Sequence, residues 1–186
     1  MVNPAALLEA AEDVATLLQG HHVEAVVIGG AALAAYHYVR HTEDIDLGVN
    51  ASIQTLQILS SSLQKAGYPT TLNLPDQQDP LGGVIDVETP SGPVQIISFL
   101  GKFPAVIEDA IRVSQLVVRP SSRLKLVPLP HLIALKLYAG GHKSKADIVE
   151  LLLRNPDLDL GEVRHLCQGY RLQGLEELIR EAQLQS

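Results

Sequence analysis

Two carboxylates alternate with apolar residues at Asp44-Ile45-Asp46-Leu47, separated by thirteen residues from the Gly29-Gly30 pair that ends Ala25-Val26-Val27-Ile28. In an extended strand Asp44 and Asp46 project from one face, while Ile45, Leu47 and Val49 project from the other. The chain must therefore bury one side of this strand and leave the other to two like charges. Such a pair is tolerated when a cation lies between the carboxylates or when water bathes both. Oxygen-only ligands select a hard ion such as Mg²⁺. The alternative is a solvated edge strand whose acidic positions bind nothing.

The run at residues 25–28 reads as a buried strand, and residues 31–39 as an alanine-rich helix. Gly29-Gly30 supplies the turn between them, where backbone N–H groups can approach phosphate oxygens. The same two glycines also serve wherever a strand and a helix simply need to pack closely.

At 186 residues, 46% hydrophobic and 19% charged, the chain has the length and composition of one folded domain with an aliphatic core. Residues 5–19 have an apolar stripe of Leu7, Leu8, Ala11, Val14, Leu17 and Leu18 at helical spacing. Residues 53–65 repeat that pattern with Ile53, Leu56, Leu59 and Leu63 inward, and Gly67 as the stop. Residues 68–80 read as a polar loop. Strands at 84–89 and 94–99 flank Pro90-Ser91-Gly92-Pro93 as a hairpin. A helix is expected from Pro104 to about Ala110, then strand-like runs at 113–118 and 124–127. Helices follow at 131–138, 146–154, 161–168 and 175–182. The expected architecture is α/β (α+β): a mixed sheet with flanking helices over residues 1–128, and a helical segment over 129–186 forming the other wall of a cleft.

The net charge of −7 argues against indiscriminate nucleic-acid binding. Residues 1–101 carry −9, residues 102–145 carry +6 and residues 146–186 carry −4. An acidic half beside a basic strip suits a site that gathers cations and phosphates, although solvated surfaces also cluster charge. Cys167 is the single cysteine, which rules out an intrachain disulfide and a cysteine zinc site. No apolar run reaches the roughly 18 residues of a membrane span, and no signal-peptide pattern is read. A cytoplasmic protein without a membrane partner is expected.

Gly29-Gly30-Ala31, Arg40, Thr42 and Asp44-Ile45-Asp46 together resemble the signature of the nucleotidyltransferase superfamily. They match the Gly-Gly-x-Ala … Arg-x-Thr-x-Asp-x-Asp form of a bacterial branch that includes the AbiEii-like abortive-infection toxins. The resemblance continues through residues 132–140, with Lys136, to Asp147-Ile148. It implies a nucleotidyltransferase fold and Mg²⁺-dependent transfer of a nucleotidyl group from a nucleoside triphosphate to an acceptor hydroxyl, releasing pyrophosphate. Asp44 and Asp46 would hold one or two Mg²⁺ ions. Gly29 and Gly30 would hold phosphate oxygens, and Lys136 would neutralise the phosphate tail. Arg40 would either touch phosphate or make a structural ion pair; Thr42 reads first as a turn or cap residue. The acceptor is left open among RNA, protein and small molecule, and the branch implies a toxin–antitoxin partner protein as one alternative.

The chain departs from that pattern at one position. Active members carry a third carboxylate on a later strand, and the matching residue here is Gln95, an amide that cannot act as a base. Asp86 faces Gln95 across the expected hairpin, so it is the candidate catalytic substitute; the other reading is an exposed strand residue. A degenerate member that holds nucleotide without turnover is the alternative function. His37 and His41 have the i, i+4 spacing of zinc ligands but no third ligand, and read as a polar surface pair. Lys143 and Lys145 read as part of a polar turn.

Overall fold

The computed structural model describes residues 3–40, 42–76 and 81–185. At its centre lies β2 (Ile45–Val49), between β1 (Val26–Ile28) on one side and β5 (Gly92–Ser98) on the other. β4 (Val84–Thr89) and β3 (Thr70–Asn73) extend the sheet beyond β5, and β6 (Lys125–Leu126) closes it beyond β1, giving the order β3-β4-β5-β2-β1-β6. β2 runs parallel to β5 and β1 parallel to β6; the other pairs are antiparallel. The sheet is mixed, as expected.

Strand alternation sets its two faces. Ile45 and Leu47 stand in register with Val94 and Ile96, and these with Val87 and Ile85; like Val49, all are at most 5% exposed. Burying each such side chain contributes about 1.5–3 kcal/mol. Helices α1 (Pro4–Gly20) and α3 (Ile53–Lys65) pack against the strands here with Leu7, Val14, Leu18, Leu56, Leu59 and Leu63 buried. The Asn3 side chain caps α1 by accepting from the Ala5 N–H at 3.1 Å. Ile53, expected inward on α3, is 44% exposed, because it lies in the first turn beside the Ser52 cap. On the opposite face, α4 (Pro104–Val113) sets Ile107 against Gly48.

Several expected boundaries move. The short helix α2 (Gly29–Ala35) starts at Gly29 and stops four residues before Val39, with the Tyr36 N–H turned back to the Leu33 carbonyl. β3 occupies part of the stretch read as a loop, since Thr70 and Leu72 alternate inward and the Thr70 and Ser60 hydroxyls bond at 2.7 Å. The end of that expected loop, residues 77–80, lies outside the described residues, as does His41 of the histidine pair. Residues 113–118 form no strand: α4 runs on to Val113, and Val117 makes only an isolated bridge to Lys125.

Four helices follow the sheet: α5 (Leu129–Ala139), α6 (His142–Arg154), α7 (Leu160–Gly169) and α8 (Leu175–Gln185). α5 is buried almost all round, with Lys136 as its partly exposed charge. α6 begins four residues earlier than expected, so Lys143 and Lys145 belong to a helical first turn rather than a loop. Among the described residues no helix is long and apolar enough to cross a membrane.

Candidate active site

One row of side chains crosses the sheet: Ile28, Asp46, Gln95, Asp86 and Thr71 are successive register partners. Register partners share a face, so Asp46, Gln95 and Asp86 stand side by side on the face away from α1 and α3. Gln95 takes the place next to Asp46. Asp86 is a second strand away, about 9–10 Å from Asp46 measured across the strands.

Asp86 is also engaged. Its Oδ1 accepts from Gln95 Nε2 at 2.6 Å and its Oδ2 from Asn73 Nδ2 at 2.6 Å. Because Gln95 directs its nitrogen to Asp86, its Oε1 is turned away from that carboxylate and remains an acceptor. Among the described residues no group of three or more His, Cys, Asp or Glu side chains is gathered as for a metal ion. The structure brings Asp44 and Asp46 together and keeps Asp86 apart from them.

The Gly-Gly turn is shaped around that pair. Gly29 has φ +65°, and a Cβ there would lie 1.7 Å from Asp46 Oδ2. A Cβ on Gly30 would come within 2.8 Å of the Thr42 side chain. Thr42 in turn donates its hydroxyl to Asp44 Oδ1 at 2.5 Å. Thr42 is thus a positioning residue for Asp44, in addition to its turn geometry.

Burial, followed by the like charge of Asp44, pushes the Asp46 carboxyl up to about 6 from an ordinary 3.8. Lys136, Arg40 and Lys143 oppose the rise through their charges, and no hydrogen bond from a described residue offsets it. A half-buried carboxylate beside a second one, both with oxygen donors only, is a donor set that fits a hard divalent cation. The cation would restore the ionised form of Asp46.

Lys136 and Arg40 converge on one buried acid. Asp147, on α6 and 1% exposed, accepts from Lys136 Nζ at 2.7 Å and from Arg40 Nη1 at 3.3 Å. Of the two readings left open for Arg40, the ion pair is the contact present. A cavity of about 140 Å³ lies between the sheet and the helices, lined by Gly29, Ile28, Leu81, Lys136, Tyr138 and Ser144 among others. Lys136 and Gly29, over a hundred residues apart, thus share one cleft. Much of the remaining basic strip is occupied elsewhere: Arg112 pairs with Asp109, Arg119 with Glu9 and Glu12, and Lys125 donates to the Ile111 carbonyl.

Sequence reasoning assigned no role to Asp147 or Asn73. Asp147 carries a usable signal, because it falls on the same helical stripe as Ile148 and Leu151, where a lone acid demands a buried partner. Nothing in the sequence marks Asn73.

No protein-family model matches the chain, and neither does the sequence of any curated protein. Solved structures do. The antibiotic-resistance factor ANT(2'')-Ia in solution superposes with a TM-score of 0.58 at 13% identity, covering 90% of this chain and 91% of that one. The crystal structure of the same factor with adenylyl-2''-tobramycin gives 0.53 at 13% identity, covering 90% and 97%. An antigenic nucleotidyltransferase-like protein from Paracoccidioides brasiliensis gives 0.56 at 16% identity, covering 96% and 94%. The chain has the nucleotidyltransferase fold. At these identities the likeness is one of fold, and it does not single out the abortive-infection branch.

Proposed function

We propose that the protein transfers a nucleotidyl group from a nucleoside triphosphate to an acceptor hydroxyl, with Mg²⁺ held by Asp44 and Asp46 and release of pyrophosphate. The observation that carries this reading is the Asp44–Asp46 pair set against the Gly29 turn, with Asp46 half-buried and its carboxyl pushed up to about 6 by burial and by Asp44. Such a group is costly without a cation. Bound there, magnesium would supply Lewis-acid charge to the phosphates. Gln95 Oε1 is the neutral oxygen available beside the pair. Gly29 and Gly30 leave backbone open to phosphate oxygens, and Lys136, anchored by Asp147, meets the phosphate tail as a point charge.

A small-molecule acceptor suits the surface better than RNA. Arg112, Arg119, Arg154 and Arg164 are held in ion pairs, and the net charge is −7, which leaves little for a phosphate backbone. A structural neighbour in complex with adenylyl-2''-tobramycin offers a precedent for a small-molecule acceptor on this fold.

One observation favours a second reading, a protein that binds nucleotide without turnover. The place beside Asp46 holds the amide of Gln95, and Asp86 is occupied by Gln95 and Asn73. No described carboxylate is then placed to take the acceptor proton. Calorimetric titration with each nucleoside triphosphate, followed by a pyrophosphate-release assay with candidate acceptors, separates the readings. Metal-dependent binding with release supports transfer, and metal-dependent binding without release supports the second reading. Failure to bind rejects both.

A further inference from the structure

We propose that the nucleotide donor is a purine nucleoside triphosphate whose base fills the cavity of about 140 Å³ beside Lys136. The base is selected there by its bulk and not by its edge, so adenine and guanine serve alike. This inference rests on the nucleotidyl-transfer reading and names the substrate class of that site.

The cavity has two ends of different chemistry. Ile28 and Gly29 line it where β1 meets Asp46, the register partner of Ile28. Phe99 lines it from beyond β5, where its N–H donates to the Val49 carbonyl, three residues farther along β2. At about 3.3 Å per residue the two levels stand about 10 Å apart. The first end has the aspartates, the Gly29 turn and Lys136, which suit phosphates. The second has Phe99 and Leu81, and α5 adds Leu132, Leu135 and Ala139 to the wall. Whole-ligand sites occupy about 300–1,000 Å³, so this smaller space takes one ring system and leaves the phosphates at its mouth.

The walls decide the selectivity. Burial of a base against them gains with the area removed from water, so a purine gains more than a pyrimidine. Telling the two purines apart needs a fixed donor or acceptor, because the adenine N6 amino group donates where the guanine O6 accepts. Among the described lining residues the polar side chains are Lys136, Tyr138 and Ser144. Lys136 Nζ donates to Asp147 at 2.7 Å. A hydroxyl both donates and accepts, so Tyr138 and Ser144 suit either edge.

The test is calorimetric titration of the whole protein, in Mg²⁺, with ATP, GTP, CTP, UTP and inorganic tripolyphosphate, which has the tail without a base. ATP and GTP should agree within about threefold, bind more tightly than CTP and UTP, and exceed tripolyphosphate by about tenfold or more. Ala139 is exposed in the cavity wall, so Ala139→Phe should keep the circular dichroism spectrum while filling the space. It should bring ATP and GTP down to the affinity of tripolyphosphate and leave tripolyphosphate itself unmoved. A preference for one purine beyond about threefold overturns selection by bulk, as do pyrimidines that bind as well as purines. Tripolyphosphate that matches the nucleotides, or ATP affinity that survives Ala139→Phe, takes the base out of the cavity. These results overturn the proposal and leave the transfer reading standing, whereas a protein that binds none of the nucleotides rejects both.

Discussion

The Cα of Gly29 lies so close to the Asp46 carboxylate that a single methyl group there would sit 1.7 Å from Oδ2. The turn proposed to offer backbone to phosphate therefore also gives the half-buried Asp46 carboxylate its room. Gly29→Ala must push Asp46 aside and hold alanine at φ +65°, a conformation that costs an L-residue about 1–2 kcal/mol before any clash. We expect a lower thermal midpoint and at least tenfold weaker Mn²⁺ binding. Melting curves and Mn²⁺ electron paramagnetic resonance read the two effects separately.

The raised Asp46 carboxyl makes the metal-free protein pH-sensitive. Its folded value of about 6 lies above the ordinary 3.8, so its stabilising contribution is full below about 4 and is lost as pH rises through 6. Two units correspond to about 3 kcal/mol. Asp46→Asn should therefore be more stable than the parent in EDTA at pH 8 and nearly equal to it at pH 4. Mg²⁺ should stabilise the parent and leave Asp46→Asn unmoved. Denaturant unfolding at the two pH values measures the difference.

Asp147 holds the two cations of the cleft. Asp147→Asn leaves Lys136 and Arg40 without their counter-charge in a largely buried place, which should cost about 3–5 kcal/mol. Lys136→Met should weaken triphosphate binding more than monophosphate binding, because its proposed contact is the phosphate tail. Parallel titrations with ATP and AMP, on variants whose fold is verified, decide this. Equal losses for the two nucleotides would remove Lys136 from the tail.

The fold was largely legible, and the reasons are local. Alternation in Asp44-Ile45-Asp46-Leu47 gave the faces of β2. The Pro90-Ser91-Gly92-Pro93 turn gave the Asp86–Gln95 pairing, which the ladder reproduces. What failed was decided by tertiary contact. Thr70–Asn73 is a polar edge strand whose pattern is too short to stand out, so Asn73 and its bond to Asp86 were invisible. Lys143 and Lys145 looked like a turn because α6 starts at an uncapped Gly141 with a charged first turn. The convergence of Arg40 and Lys136 on Asp147 spans 107 and 11 residues, and no periodicity records such a meeting.

On the proposed function, Gln95 and Asp86 govern turnover. Gln95→Asp places a carboxylate beside Asp46 and removes the amide that holds Asp86. Without metal, like-charge repulsion should lower stability by about 1–3 kcal/mol; with Mg²⁺ the loss should shrink and pyrophosphate release should rise. Asp86→Ala in the parent should change release little if Asp86 only anchors Gln95. Complete loss of release with Mg²⁺ affinity retained would make Asp86 itself the proton acceptor.

The most direct measurement is a calorimetric titration of the parent and Asp46→Asn with nucleoside triphosphate, with and without Mg²⁺. A cation site at Asp44 and Asp46 predicts that Mg²⁺ tightens binding to the parent by at least tenfold and does nothing for the variant. Equal affinity for the triphosphate with and without Mg²⁺ in the parent would contradict the account.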